Sequence, residues 1–240
     1  MCGRYTQHQS TDQIVIRFEV DSVLHETTPR YNIAPTQRAP VVLQARVGSG
    51  RVLDAFKWGL IPSWAKDPTI GNRLLNARAE TAAEKPSFRS ALSRRRCLLP
   101  ADGYYEWQAV GKAKQPLYYH FIDTDLFAFA GLWETWNSPE GEAVHSFTIL
   151  TTEPNSLAAV AHDRMPVILG REDEAIWLDP EVTDVNRILH LMRPAKAERM
   201  AVYPVSPRVN KPADDDAGLV EPFVPGNDHS KSPSHPLTLF

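Results

Sequence analysis

The sequence predicts an α+β fold: a single domain of curved, mostly antiparallel, barrel-like β-sheet flanked by short helices. Three observations point there. The chain has 240 residues, 42% of them hydrophobic, which is enough apolar material for one sizeable core. Its twenty prolines are spread widely, which favours short strands and ordered loops over long helices. The apolar runs follow no regular strand–helix–strand rhythm, so a parallel doubly wound sheet is disfavoured.

Taken in order, strands are expected at 40–47, 52–60, 96–107, 117–122, 126–133 and 145–152. Apolar and polar residues alternate in several of these, and β-branched or aromatic residues are frequent. Helices are expected at 10–18, 79–83, 86–92, 154–160, 171–178 and 184–190. Thr11 or Asp12 reads as the cap of the first, and Glu153-Pro154 as the opening of the 154–160 helix. The domain is read as residues 2–210. From Lys211 the chain is rich in Pro, Asp and Ser with little periodicity, so 211–240 reads as a poorly ordered tail.

The net charge of −3 does not itself suggest nucleic acid, but it is unevenly distributed. Residues 1–100 hold 15 Lys and Arg against 8 Asp and Glu, whereas 101–240 hold 11 against 21. Arg4, Arg30, Arg38, Arg73, Arg78, Arg89 and the run Arg94-Arg95-Arg96 lie in the basic part. They form either a polyanion-binding face or a scattered, solvated surface. No stretch of 18 apolar residues is present, and MCGRYTQHQS lacks the apolar segment of a secretory leader. The expectation is a cytoplasmic chain without a membrane helix. Cys2 and Cys97 are its two cysteines, and in a reducing compartment no disulfide is expected between them. Cys97 lies in an apolar run and is assigned to the core. No heptad pattern suggests more than a monomer.

The chemistry starts at Met1-Cys2-Gly3-Arg4-Tyr5. Methionine is removed when the next side chain is small, and the chain then begins with a free 1,2-aminothiol. An α-amine has a pKa of about 7.7–8.0, so part of it is a neutral nucleophile near pH 7. Such an amine condenses with an aldehyde to an imine. The thiol two carbons away can then close a five-membered thiazolidine on the same carbon, with the rate advantage of an intramolecular step. An N-terminal Cys-Gly also opens glutamine-hydrolysing amidotransferases, so the motif alone is not specific.

Further segments narrow the choice: Tyr31-Asn32-Ile33-Ala34-Pro35-Thr36, Trp58-Gly59-Leu60-Ile61-Pro62-Ser63-Trp64, Asn76-Ala77-Arg78-Ala79-Glu80-Thr81, Arg96 through Trp107, Thr151-Thr152 and His162-Asp163-Arg164-Met165-Pro166. Together with Cys2 they resemble the SOS response-associated peptidase family, over Cys2 to about Asn210. The resemblance implies sensing of abasic sites in single-stranded DNA through a thiazolidine crosslink with the ring-opened sugar. It implies active residues at Cys2, Asn76, Glu106 and His162. The peptidase label then refers to removal of residues ahead of the cysteine, and a weak lyase activity follows from β-elimination at the imine.

The residue types suit these roles. Glu106 lies in the aromatic run Tyr104-Tyr105-Glu106-Trp107, where apolar surroundings can raise a carboxyl pKa for proton exchange with the amine. An imidazole such as His162 can protonate a sugar ring oxygen near neutrality. Asn76 can hold the opened hydroxyl or the Cys2 backbone. Arg4, Arg78 and Arg164 stand beside these residues as phosphate contacts. Trp64 and a loop at Pro40 are expected to form a wedge that stacks on bases. Asn32 and Thr151 complete the expected DNA contacts. No cofactor is expected, and the histidines form no metal-ligand pattern with either cysteine. Two other readings stay open: an amidotransferase or peptidase using the Cys2 thiol, and a non-covalent reader of modified bases.

Overall fold

The computed structural model describes residues 2–44, 48–123 and 126–223. Its strands are β1 (Tyr5–Gln7), β2 (Val20–Val23), β3 (Arg30–Ile33), β4 (Arg38–Leu43), β5 (Arg51–Trp58), β6 (Asn76–Arg78), β7 (Arg96–Ala101), β8 (Gly103–Val110), β9 (Ala113–Phe121), β10 (Phe127–Asn137), β11 (Ala143–Thr152), β12 (Met165–Pro166), β13 (Ile168–Leu169) and β14 (Met200–Pro204). Short helices accompany them: α1 (Thr11–Phe18), α2 (Ala79–Ala82), α3 (Arg89–Arg94) and α4 (Glu174–Leu178).

Among the described residues the strands form two sheets. The smaller runs β14-β9-β8-β1-β3. The larger runs β12-β11-β10-β7-β4-β5-β2, with β13 on β10 and β6 on β11. A parallel pairing of β11 with β5 closes β11, β10, β7, β4 and β5 into a ring of five strands. The fold is thus α+β, mostly antiparallel and barrel-like.

Period-two alternation explains how this ring is packed. On β7, Leu98 faces one apolar cluster while Cys97 and Leu99 face another. On β10, Ala128, Ala130 and Leu132 face the first, and Phe127 and Phe129 the second. The first cluster is covered by helical residues such as Ile14, Phe18, Leu92 and Trp177. The second holds Cys2, Tyr5 and Tyr104, so the start of the chain is buried between the ring and the smaller sheet. Covered on both faces, β7 is buried along its whole length.

Several expectations change. The expected strand at 96–107 is two strands, β7 and β8, divided at Asp102, whose N–H donates to Thr6 O. The expected helices at 154–160 and 184–190 are 3-10 turns at 158–160, 185–187 and 189–191, segments too short to nucleate a stable α-helix. The cap of α1 is Ser10, in a reciprocal capping box with Gln13 three residues on, rather than Thr11 or Asp12. Pro40 lies buried inside β4, not in a loop. Of the expected strand 40–47, residues 45–47 lie outside the described residues.

The region read as a tail is packed as far as Phe223. Val209 and Leu219 are buried against Tyr105 and Tyr118. Asn32 Nδ2 donates to the carbonyls of Lys211 (3.0 Å) and Asp214 (2.7 Å), and Asp215 accepts from Arg30 Nε and Tyr31 N–H. These long-range bonds supply the order that local composition lacks. Residues 224–240 lie outside the described residues.

Candidate functional site

Strand pairing brings the distant motifs together. β1 pairs with β8 through Tyr5↔Tyr104 and Thr6↔Gly103, which lays the Cys2 end of the chain along the strand carrying Glu106. β6 pairs in parallel with β11 through Ile149↔Asn76 and Thr151↔Arg78. β12 joins the same end of β11 through Thr151↔Pro166, placing the His162–Arg164 segment nearby.

Asn76 Nδ2 donates to the Cys2 carbonyl at 2.9 Å, while its Oδ1 is buried with no hydrogen-bond partner among the described residues. Cys2 is fully buried. Burial pushes its thiol pKa well up and the Glu106 charge adds to this, while the Arg4 N–H pulls it back. Cys2 and Cys97 are both free thiols. Glu106 is 4% exposed. Burial raises its pKa, and nearby His162 opposes the rise. A buried carboxyl flanked by titratable groups in this way is suited to proton exchange.

Glu106 and His162 line one open cleft of about 500 Å³ with Trp107, Lys114 and Asn210. His162 follows a 3-10 turn at 158–160 and its N–H donates to Ala158 O. Its Nδ1 accepts from Arg164 N–H at 3.1 Å and also stands 2.7 Å from Asp163 Oδ1. One nitrogen cannot accept an amide proton and donate to a carboxylate at once. A ring without a proton on Nδ1 keeps the first contact, and a ring with one keeps the second. In both states Nδ1 is occupied locally and Nε2 is left for the cleft.

The expected DNA contacts divide by environment. Arg78 is exposed, and Trp64 is 57% exposed whereas Trp58 is buried. Arg4 is half-buried, its Nη1 donating to Asn32 Oδ1 (2.8 Å) and Val209 O (2.7 Å). Arg164 makes a two-pronged pair with Glu80 at 2.8 Å each and also donates to Thr151 O. Asn32 and Thr151 are fully buried, and the Asn32 side chain is spent on Arg4 and the 209–214 segment. Asn32, Thr151 and Pro40, expected among the DNA contacts, thus present no exposed side chain.

The basic excess of residues 1–100 is also partly internal. Arg96 is buried and its guanidinium donates to the carbonyls of Leu92, Ser93, Trp177 and Asp179, at the ends of α3 and α4. Arg17 pairs with buried Glu174, and Arg95 with Glu134. Sequence reasoning missed Lys114 and Asn210 as cleft residues. Trp107 was signalled by its place beside Glu106, but the two others carry no local signal.

Comparison with known proteins converges on one group. A family model described as SOS response associated peptidase (SRAP) matches residues 1–212. The chain is 46% identical over 224 residues to abasic site processing protein YoqW of Bacillus subtilis (strain 168), covering 92% of this chain and 99% of that protein. It is 35% identical over 212 residues to abasic site processing protein HMCES of Xenopus tropicalis, covering 76% of this chain and 62% of that protein. Its fold matches a crystal structure of a protein from Bacteroides thetaiotaomicron with a TM-score of 0.85 and 31% identity, over 93% of this chain and 100% of the other.

Proposed function

The chain belongs to the SOS response associated peptidase family, and from that premise we propose that it processes abasic sites in single-stranded DNA by forming a thiazolidine crosslink through Cys2. The observation that carries this reading is the joint placement of Cys2, held through its carbonyl by Asn76, and Glu106, whose carboxyl is buried with a raised pKa and shares a cleft with His162.

In this scheme loss of Met1 frees the Cys2 amine. His162 Nε2 protonates the sugar ring oxygen, and the anomeric hydroxyl proton leaves, giving the C1 aldehyde. The amine adds to C1, and one water departs to leave the imine. The Cys2 thiol then adds across the C=N bond. The S–C1 bond forms, the π electrons move to nitrogen, and the thiol proton reaches that nitrogen by way of Glu106. The raised Glu106 pKa supports this role, because burial makes its carboxylate a stronger proton acceptor than an exposed one. Asn76 fixes the Cys2 backbone so that amine and thiol address the same carbon.

Exposed Arg78 and Trp64 are the first DNA contacts, one to phosphate and one by stacking on a base. Arg164 and Arg4 reach phosphate by exchanging the partners they hold here.

A denaturing gel tests the reading. Purified protein is mixed with abasic single-stranded DNA, with intact DNA, or with abasic DNA whose aldehyde is blocked by methoxyamine. A covalent band is expected with the first alone. A band that survives the block, or none with any substrate, would count against it.

A further inference from the structure

Three buried tyrosine hydroxyls beside the candidate site, those of Tyr5, Tyr104 and Tyr119, have no part in the scheme above. Tyr104 and Glu106 are two residues apart on β8 and therefore share a strand face. Across the β8–β9 hairpin Tyr104 pairs with Tyr119, their rings stacked with centroids 4.9 Å apart and planes within 11°. Both rings belong to the apolar cluster that contains Cys2. Both side chains are fully buried, and neither hydroxyl has a hydrogen-bond partner among the described residues.

A buried hydroxyl left unpaired destabilises the fold, and phenylalanine would keep nearly the same shape without that cost. Three such groups in the cluster that holds Cys2 leave a cost in stability unmet. This is the pattern of donors held ready for a charge that appears only during reaction.

Resting on the thiazolidine reading, we propose that the Tyr104 hydroxyl donates a hydrogen bond to the Cys2 sulfur as it becomes anionic during ring closure, and is a further catalytic residue of this site. The surroundings of Cys2 oppose thiolate formation, since burial and the Glu106 charge both raise the thiol pKa. An unpartnered donor in the same buried cluster as Cys2, turned to the sulfur in the reacting state, offsets this for the charged form alone. Tyr104 itself is held well above the usual tyrosine range, first by burial and then by the Cys2 and Tyr119 charges. It therefore keeps its proton and donates the hydrogen bond without being consumed. The thiol proton still leaves to Glu106 and returns to the ring nitrogen, so the step balances without Tyr104 changing state. Tyr119, stacked on Tyr104, fixes the ring's plane.

The test separates the two covalent steps in Tyr104→Phe. Imine formation is read as product trapped by borohydride, and ring closure as heat-stable adduct formed without reductant. The trapped imine is expected at the wild-type rate, the heat-stable adduct about tenfold more slowly, as for loss of one hydrogen bond to a charged group. The melting temperature is expected to be equal or higher. Equal rates for both species in variant and wild type would overturn the inference, as would a parallel fall in both steps with a lower melting temperature. A wild-type protein that gives no adduct at all overturns the thiazolidine reading and this inference together. A wild-type adduct matched by Tyr104→Phe removes this inference alone.

Discussion

Two carboxylates on the same stretch of chain, Asp102 and Glu106, are each 4% exposed, yet their surroundings differ. Asp102 stands at the β7–β8 junction and accepts on both oxygens, from the Thr6 hydroxyl on one and from the His8 N–H at 2.6 Å on the other, with the His8 ring nitrogen 2.9 Å away. The Thr6 hydroxyl is also 3.0 Å from the Tyr118 hydroxyl. Tyr118 reaches it by crossing Gly103, where any Cβ would overlap the Tyr118 ring. Four residues on, Glu106 faces Cys2 and the open cleft, and burial raises its pKa. Hydrogen bonding turns the first carboxylate into a clasp that fixes β1 against β8. Desolvation leaves the second ready to take and release a proton. Burial alone therefore does not mark a functional carboxyl.

Substitutions separate the roles of these groups, and loss of the Cys2 thiol costs the most adduct. Cys2→Ala keeps an α-amine and loses the thiol. It is expected to abolish the heat-stable adduct completely while leaving an imine that borohydride can trap. A stable adduct without reductant would exclude the ring.

Glu106→Gln comes next, with adduct formation slowed by roughly 10²–10⁴-fold, as for loss of a general acid–base group. It also carries a stability signature. The raised pKa means that the folded protein holds this proton more tightly than the unfolded chain does. The stability contributed by the group is thus fully present below its ordinary value of 4.5 and is lost as pH rises through the raised value. Glu106→Gln should flatten that decline in urea titrations across the window. An unchanged pH dependence would show that the carboxyl is not perturbed.

His162→Ala is expected to slow crosslinking by about 10²-fold. A catalyst of ring opening also catalyses closing, so release from a preformed adduct should slow equally and the equilibrium yield should stay put. Challenge of a labelled adduct with excess unlabelled abasic DNA reads the reverse rate. Wild-type rates in both directions would make His162 structural.

Asp102→Asn has the smallest expected effect on the chemistry and a clear one on the fold. It places an amide donor among donors, and the loss should be about 2–3 kcal/mol of stability. Adduct formation per folded molecule should stay close to wild type. A rate loss as large as that of Glu106→Gln, with unchanged melting, would erase the distinction between the two carboxylates.

Legibility in the sequence followed element length and locality. β5, β10 and β11, of eight to eleven residues, show their character through alternation. β6, β12 and β13 have two or three residues, too few for any period to appear. β6 carries Asn76, so that residue was visible through its motif and not through its strand. The order of 211–223 depends on Asn32 and Asp215, contacts that span more than 170 positions and leave no local trace. A charge count could not tell Arg96, buried on carbonyls of the α3 and α4 ends, from exposed Arg78. The placement of Tyr104 was within reach, since strand alternation puts it on the face of Glu106, but only packing reveals that its hydroxyl is unpartnered.

Intact-mass spectrometry with peptide mapping of the adduct identifies the protein atoms that join the DNA. Lys114 is the useful rival, an amine lining the same cleft as Glu106 and His162. A thiazolidine at Cys2 gives a mass equal to protein lacking Met1 plus abasic DNA minus one water, with the modification mapped to Cys2 and its thiol no longer alkylatable. An adduct that retains Met1, maps to Lys114, or leaves the Cys2 thiol open to alkylation would contradict it.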